Sequence, residues 1–264
     1  MQAAAYLDRI GYQGSLEPSA ATLCQLHRAH LLAVPFENLD IRLGRPIALS
    51  LPMFYDKIVR NRRGGFCYEL NGLFGWLLEE VGFEVTMLSA RVYEQGRFGA
   101  EFGHMVLMVD TGEYLIADVG FGDSFLEPLS LETQAGDQQP GCAYRLTGPE
   151  SGKRLERRLE SKWAPQYVFS LTPRRLDDFT AMCQHHQTSA LSHFTRKSVC
   201  SLATQTGRIT LSNNRLIAAV DGQQTEREVT AAVEYRALLR NRFGIDLDEA
   251  AHIERLMAPG KTPG

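Results

Sequence analysis

Cys67 is the residue of this sequence with the strongest case for nucleophilic chemistry. It follows Arg62-Arg63-Gly64-Gly65-Phe66, and apolar residues spaced three and four apart predict a helix from about Phe66 to Val81, ended by Gly82. In the first helical turn, unpaired N–H groups and the helix dipole favour a thiolate, and the two arginines would add to this effect. The glycines would permit a tight turn that most residues cannot adopt. A buried cysteine in a well-packed helix fits the same spacing, so both interpretations stand.

A histidine and an aspartate further along the chain are candidates to complete a catalytic triad. A thiol nucleophile usually works with a histidine that a third group orients. His104 and Asp118 lie at the outer ends of two strand-like runs that a turn joins. With a three-residue loop over 110–112 and its glycine left-handed, the two side chains would lie opposite each other on one face. With a two-residue loop over 111–112 they would lie on opposite faces, which leaves ordinary strand-end roles open for both.

Hydrophobic periodicity divides the chain into a helical first third, a mainly β middle and a mixed α/β end. Helices are predicted over 3–10, 19–32, 53–60, 66–81 and 230–243. Strands are predicted over 84–92, 105–109, 114–119, 144–147, 154–159, 208–211 and 216–220. The spacing of Asp246 and Glu249 predicts a capping box and a last helix through Met257. The stretch 177–194 fits either helix or loop, and the β section indicates a small barrel or curled sheet.

The bulk composition is that of an ordinary globular protein. Of 264 residues, 44% are apolar and 22% are charged, which argues against disorder as the main state. The formal net charge of −3 is too small to predict a nucleic acid or a membrane surface as a partner. No apolar run reaches the roughly 20 residues that span a bilayer, and the first residues lack a signal-peptide pattern. We therefore expect a cytoplasmic protein.

Neither the cysteines nor the histidines predict a metal site. The five cysteines are odd in number, widely spaced and without a CxxC pair, which argues against a disulfide framework and a zinc site. His27 and His30 have a ligand-like spacing on the second predicted helix, but no further ligands are apparent nearby. We therefore expect no bound metal.

Three stretches of the sequence carry motifs of a known family. They are Val34-Pro35-Phe36-Glu37-Asn38-Leu39-Asp40, the run from Arg62 through Cys67 to Phe74, and His104-Met105 together with Ala117-Asp118-Val119-Gly120-Phe121-Gly122. Together they resemble the arylamine N-acetyltransferase family, in which cysteine, histidine and aspartate follow in this order. The resemblance is strong from about Ala3 to Leu129 and holds only in outline beyond.

This resemblance implies an α+β fold of three packed parts with a cysteine-protease-like triad. A helical bundle over 1–85 would carry the nucleophile, and a β-barrel over 86–195 would carry the histidine and aspartate. Residues 196–264 would form an α/β lid. It also implies that Cys67, His104 and Asp118 are the catalytic residues.

The resemblance further implies a ping-pong reaction in which acetyl-CoA acetylates Cys67. The acetyl group would then pass to the amino group of an arylamine, hydrazine or arylhydroxylamine. The acceptor pocket would be lined by three aromatic residues near the motifs: Phe36, Tyr68 and Phe121. Core packing is the alternative role for each of them. Ser192 is the expected coenzyme contact, and we expect a monomer or a homodimer.

Other uses of the same residues remain open at this point. One is an amide synthase of the same family that closes a macrolactam on a carrier-bound polyketide. A papain-like thiol hydrolase would share the triad, and a non-enzymatic binding protein would keep the fold without a reactive Cys67.

Overall fold

The computed structural model describes residues 1–132, 136–139 and 142–259. The last residues of the predicted lid, 260–264, and two short stretches of the predicted barrel, 133–135 and 140–141, lie outside the described residues.

The N-terminal part is helical, as the periodicity predicts. Its helices are α1 (Ala3–Arg9), α2 (Ala20–Ala33), α3 (Leu39–Leu43), α4 (Leu51–Tyr55) and α5 (Cys67–Val81). The Ser19 hydroxyl accepts a hydrogen bond from the N–H of Thr22 and caps α2. The helix predicted over 53–60 begins earlier, as α4, and ends in a π-helical turn over Asp56–Arg60. The short helix α3 was not predicted.

Helix α5 forms the centre of the molecule. Every residue from Cys67 to Leu78 is buried. One side of α5 packs against the other N-terminal helices, and another packs against strand residues that include Leu107 and Ala117. A helix that is apolar around most of its circumference is stable only when it is covered in this way. The helix ends at Gly82, which has a φ of +107°.

The middle part is an antiparallel sheet that curls into a nearly closed barrel. Its strands are β2 (Glu84–Glu94), β3 (Arg97–Phe98), β4 (His104–Asp110), β5 (Tyr114–Ala117), β6 (Leu129–Ser130), β7 (Asp137–Gln139), β8 (Cys142–Thr147), β9 (Lys153–Leu159) and β10 (Lys162–Arg174). The strand order is β6-β5-β4-β2-β10-β9-β8-β7, with β3 paired to β2. Strand β6, at one end of this order, approaches β8 near the other end.

The C-terminal part combines a second sheet with helices. After a 3₁₀ turn over Leu176–Phe179 come α6 (Thr180–Thr188), α7 (His193–Arg196), β11 (Val199–Thr204), β12 (Gly207–Ser212), β13 (Arg215–Val220), β14 (Gln223–Glu228), α8 (Ala232–Phe243) and α9 (Ile253–Met257). The ambiguous stretch 177–194 is thus largely helical. A short N-terminal strand, β1 (Phe36–Glu37), pairs with β11 at the edge of this sheet. The predicted three-part α+β fold is confirmed.

The last predicted helix starts later than its capping-box pattern indicates. Helix α9 begins at Ile253, and the residues from Asp246 to His252 are not helical. The guanidinium of Arg236 donates to backbone carbonyls of this stretch, including those of Leu247 and Ala251. These bonds hold the segment as a loop, so the prediction that Asp246 begins a helix is wrong.

The predicted domain boundaries at 85/86 and 195/196 fall inside β2 and α7, a few residues from the nearest element ends. The division into three domains stays a prediction. Among the described residues, no helix has both the length and the apolar character that a membrane span requires.

Leu107 provides a test of the contact between the barrel and the central helix. Its side chain is fully buried and packs over Gly75 of α5. Leu107→Ala should lower the free energy of unfolding by about 2–5 kcal/mol, because the cavity cannot fully collapse between two rigid elements. Denaturant unfolding measures this. Leu159→Ala is the matched control, because Leu159 is 52% exposed on β9. Equal losses in the two variants would contradict the packing described here.

Candidate active site

Cys67 is the first residue of α5 and faces a cavity. Phe66 is the N-cap residue in extended conformation, and its N–H donates to Oε2 of Glu69 at 3.1 Å. The cavity has a volume of about 550 Å³ and is lined by both Cys67 and His104. Cys67 is only 3% exposed, so it meets this cavity with a small part of its surface. The predicted helix start is confirmed.

The glycines near Cys67 act by allowing close contact rather than by adopting an unusual turn. Neither Gly64 nor Gly65 has a positive φ, so the backbone at these two residues is not in the left-handed region that favours glycine. A Cβ on Gly64 would lie 2.0 Å from the carbonyl oxygen of Pro35. A Cβ on Gly120 would lie 2.8 Å from the carbonyl oxygen of Cys67. Only glycine therefore lets Pro35 approach the chain just before Cys67 and lets the segment at Gly120 pack against Cys67 itself.

The two arginines before Cys67 do not act on the thiol as the sequence suggested. Arg62 is exposed, and Arg63 is buried in contact with two carboxylates. The Arg63 Nη2 atom lies 2.6 Å from Oε1 of Glu37 and 3.1 Å from Oδ1 of Asp40. Both carboxylates are largely removed from water, so the Arg63 guanidinium forms charge-assisted hydrogen bonds with them and not with the thiol.

A lysine completes this buried ion network. The Lys57 Nζ atom lies 2.8 Å from Oδ2 of Asp40 and 2.9 Å from Oε1 of Glu69. Burial would raise the pKa of Asp40, but Lys57 and Arg63 outweigh it and hold that pKa below its ordinary value. Because Glu69 also accepts the Phe66 N–H, the network fixes the start of the nucleophile helix.

The β4–β5 hairpin has a different register from the predicted one. Asp110 pairs with Tyr114 and Leu107 pairs with Ala117, so the loop is 111–113 rather than 110–112. Gly112 is left-handed as predicted, with a φ of +92°. The prediction that the two side chains lie directly opposite each other is wrong. The shift is two residues, however, and a two-residue shift keeps a side chain on the same face of a sheet.

His104 and Asp118 therefore meet as a diagonal pair. Nε2 of His104 lies 2.8 Å from Oδ2 of Asp118, and both side chains are buried. Burial would raise the pKa of Asp118, but His104 and hydrogen bonds from Asn71 and the Gly120 N–H hold it below its ordinary value. The carboxylate is thus ionised and can only accept, so His104 carries a hydrogen on Nε2. In the neutral ring, Nδ1 then carries no hydrogen and can accept one.

Two residues that the sequence analysis did not select also hold Asp118. Nδ2 of Asn71 lies 2.9 Å from Oδ1 of Asp118 and also donates to the carbonyl of Met105. The hydroxyl of Tyr167, on β10, donates to Oδ2 of Asp118 at 3.0 Å. Asn71 lies four residues after Cys67, so helix periodicity could have placed it on the same face. Nothing near Tyr167 in the sequence indicates its role.

Burial of Cys67 disfavours the thiolate form, which the position at the start of a helix would favour. Burial raises the pKa of Cys67 well above its ordinary range, and the charge of Asp118 raises it further. The N–H groups of Tyr68 and Met105 lower it but do not compensate. Attack by this sulfur therefore calls for a base that draws off the thiol proton, and His104 lines the same cavity.

Two of the three predicted substrate-contact residues line the cavity. Phe36 and Phe121 are half-buried and lie among its lining residues. Phe121 also packs edge-on against His104, with ring centroids 5.3 Å apart. Two lining residues that the sequence analysis did not select, Phe194 and His186, lie on α7 and α6.

Tyr68 does not line the cavity. It is fully buried, and its hydroxyl donates to the carbonyl of Phe102 at 2.7 Å. Its ring packs between Phe66 and Phe179, with ring centroids 5.0 Å and 5.5 Å away. Tyr68 therefore supports the wall from behind, because its position in α5 points it away from the face that carries Cys67.

Ser192 lines the same cavity, but its hydroxyl is already bonded within the protein. The Oγ atom accepts from the N–H of Phe194 at 3.2 Å and donates to the carbonyl of His186 at 3.0 Å. The residue is 4% exposed and serves as the N-cap of α7.

A family profile described as N-acetyltransferase matches residues 19–252. The chain belongs to this N-acetyltransferase family. An arylamine N-acetyltransferase of Mycolicibacterium smegmatis is 37% identical to this acetyltransferase over 260 residues, covering 95% of this chain and 94% of the relative. Human arylamine N-acetyltransferase 1 is 35% identical over 276 residues, covering 94% and 95%.

Solved structures agree with this assignment. A structure of a Mycobacterium smegmatis N-arylamine acetyltransferase variant superimposes with a TM-score of 0.91 at 33% identity, covering 98% of this acetyltransferase and 99% of that chain. The Mycobacterium marinum arylamine N-acetyltransferase in complex with CoA gives a TM-score of 0.89 at 32% identity, covering 97% of both chains.

No group of three or more histidine, cysteine, aspartate or glutamate side chains in the described ranges is arranged to hold a metal ion. His27 and His30 are both fully buried and bond to protein groups instead.

Removing one member of the buried ion network should destabilise this acetyltransferase. Arg63→Met leaves Glu37 and Asp40 without their shared guanidinium, so we expect a loss of about 3–5 kcal/mol in the free energy of unfolding. Urea unfolding at neutral pH gives the value. The neighbouring exposed Arg62→Gln should change it by less than about 0.5 kcal/mol. A similar loss in both variants would show that the network does not stabilise the fold.

The hydroxyl of Tyr167 should contribute to turnover. Tyr167→Phe removes a single donor to the ionised Asp118, so kcat/KM for acetyl transfer should fall about tenfold. Steady-state kinetics measures the change. Tyr144→Phe is the control, because Tyr144 is also buried and lies in the barrel but makes no bond to Asp118. Unchanged kcat/KM in Tyr167→Phe would show that this hydroxyl does not support turnover.

Proposed function

We propose that this chain is an arylamine N-acetyltransferase that transfers the acetyl group of acetyl-CoA through an acetyl-Cys67 intermediate. Cys67, His104 and Asp118 act as the catalytic residues. The observation that carries the proposal is the buried His104–Asp118 pair beside a cavity that Cys67 also lines. Membership of the N-acetyltransferase family and similarity to a CoA-bound arylamine N-acetyltransferase support it.

In the first half-reaction, the sulfur of Cys67 attacks the thioester carbonyl of acetyl-CoA. Nδ1 of His104 takes the thiol proton, because Nε2 is committed to Asp118. The carbonyl oxygen becomes an oxyanion, and backbone N–H groups at the start of α5 stabilise it. The C–S bond to CoA then breaks, and the CoA sulfur receives the proton from His104. One thioester replaces another, so little free energy is lost.

In the second half-reaction, the amine attacks the acetyl-Cys67 carbonyl. An arylamine is a weak base and is largely neutral at pH 7, so its nitrogen lone pair is free. His104 takes a proton from the nitrogen, the C–S bond breaks, and the Cys67 sulfur recovers a proton. Asp118 holds the imidazole in one tautomer in both halves.

The cavity suits a flat aromatic acceptor. Phe36 and Phe121 are the proposed acceptor contacts, since both offer ring surface near the nucleophile. Tyr68 would act indirectly, by supporting the wall. Ser192 is proposed to lie along the coenzyme path, with its backbone and the short helix α7 as the contacting parts. Hydrazines and arylhydroxylamines are proposed as further acceptors, and the protein is proposed to be cytoplasmic and either monomeric or homodimeric.

Acetyl-CoA alone should acetylate the protein once, on Cys67. Intact mass and peptide mapping after brief incubation detect the adduct. Cys67→Ala should show none, while Cys24→Ala, which removes a half-buried cysteine of α2, should acetylate like the wild type. A wild-type protein that accepts no acetyl group would contradict the proposed mechanism.

The acceptor class is tested by a panel of amines and donors, read by release of CoA. Rapid acetyl transfer to anilines and hydrazines is expected. Activity only with carrier-bound polyketide thioesters would identify an amide synthase, and rapid loss of acetyl to water with peptide cleavage would identify a thiol hydrolase. A Cys67 that does not react with iodoacetamide at neutral pH would indicate a binding protein.

A further inference from the structure

His27 is a buried titratable residue to which the proposed mechanism assigns no part. It lies on α2, and its side chain is fully buried. The imidazole stacks on Phe125, with ring centroids 5.6 Å apart and an interplanar angle of 8°. It also meets Phe74 of the nucleophile helix edge-on, at 6.0 Å. The ring is therefore held in one orientation between α5 and the segment that follows Asp118.

Both ring nitrogens of His27 bond to the backbone, at the two ends of the loop 118–126. The N–H of Asp118 donates to Nε2 at 3.1 Å, and Nδ1 lies 2.8 Å from the carbonyl oxygen of Leu126. An amide N–H only donates and a carbonyl only accepts, so these partners fix the neutral tautomer with its hydrogen on Nδ1. Burial lowers the pKa of His27 to about 4, and the ring is neutral at pH 7.

The loop 118–126 depends on side chains for its position. The β4–β5 ladder ends at the pair Leu107–Ala117, so Asp118 is the first residue beyond the sheet. The N–H of Val119 then bonds to Oδ1 of Asn71, and the N–H of Gly120 bonds back to Asp118. A loop held in this way moves if one of its anchors is lost, and the Asp118 carboxylate moves with it.

We propose that His27 is a positioning residue for the triad: its Nε2 accepts the Asp118 N–H and sets where that carboxylate meets His104. Its Nδ1 anchors the far end of the same loop at Leu126. The inference rests on the proposed function of His104 and Asp118. It assigns His27 no contact with substrate, since the ring lies behind the carboxylate and has no exposed surface.

His30 offers a matched comparison on the same helix. It is fully buried like His27 and packs edge-on against Phe74 at 5.3 Å. Its Nδ1, however, lies 2.8 Å from the Tyr6 hydroxyl, away from the loop. Substitution of His30 thus removes a comparable buried imidazole without touching the anchor of Asp118.

The experiment separates the two bonds of His27 with two amide side chains. In His27→Gln the amide reaches the position of Nε2 and can accept the Asp118 N–H. In His27→Asn the amide lies near the position of Nδ1 and can donate only to Leu126. Cys67 alkylation by iodoacetamide measures how well His104 and Asp118 support the thiol, and thermal unfolding of each variant measures stability.

We expect His27→Asn to slow alkylation by about 10- to 100-fold, because small misplacements of a catalytic group cost that much. His27→Gln should recover most of the rate, and His30→Asn should stay near the wild type even if its melting temperature falls. Equal losses in His27→Gln and His27→Asn would overturn the proposal, as would an equal loss in His30→Asn.

Two further features keep the test decisive. Iodoacetamide needs no acetyl-CoA, so a wild type that alkylates rapidly but accepts no acetyl group would contradict the proposed function and not this inference. If the His27 variants do not fold, NMR of ¹⁵N-histidine-labelled wild type tests the proposal, because the chemical shifts of the ring nitrogens report the tautomer of His27. The proposal requires a protonated Nδ1 and an acceptor-type Nε2 on His27, and the opposite tautomer would overturn it.

Discussion

The carboxylate of Asp118 is the constraint on which the rest of this structure depends. A buried charge is tolerated only when hydrogen bonds or an opposite charge replace water. Here the donors are Nε2 of His104, Nδ2 of Asn71, the hydroxyl of Tyr167 and the N–H of Gly120. They come from two strands, the central helix and a loop. The site is therefore complete only when the helical part and the barrel are both folded and docked.

A second buried cluster fixes the other partner of the reaction. Arg63 and Lys57 neutralise carboxylates around the start of α5, so they hold the backbone that carries Cys67. Burial also raises the pKa of the Cys67 thiol well above its ordinary range. Removal of the thiol proton is the step that the proposed mechanism assigns to His104, whose ring Asp118 holds in place.

The sequence predicted some elements well and others poorly, for physical reasons. Helix α5 was predictable because its apolar spacing is strong and Gly82 ends it. Strand β10 was missed because Pro165 and Pro173 interrupt its pattern, and the structure accommodates them at register shifts beside each proline. The β4–β5 loop was placed one residue before its true position, which shifted the predicted strand register by two. The bond between the Thr111 N–H and the Glu113 carbonyl that closes this loop has no sequence signature.

The sequence by itself placed Cys67 at a helix start and singled out His104 and Asp118 as the other members of the proposed triad, because local patterns and family motifs carry this information. Tertiary structure decided what those residues touch. Tyr167 reaches Asp118 across 49 positions of the chain, and Arg63 turns to Glu37 rather than to the thiol beside it. Tyr68, one residue after the nucleophile, points into the core instead of the cavity. Such contacts join distant segments, and no local pattern specifies which of several buried partners a polar side chain will meet.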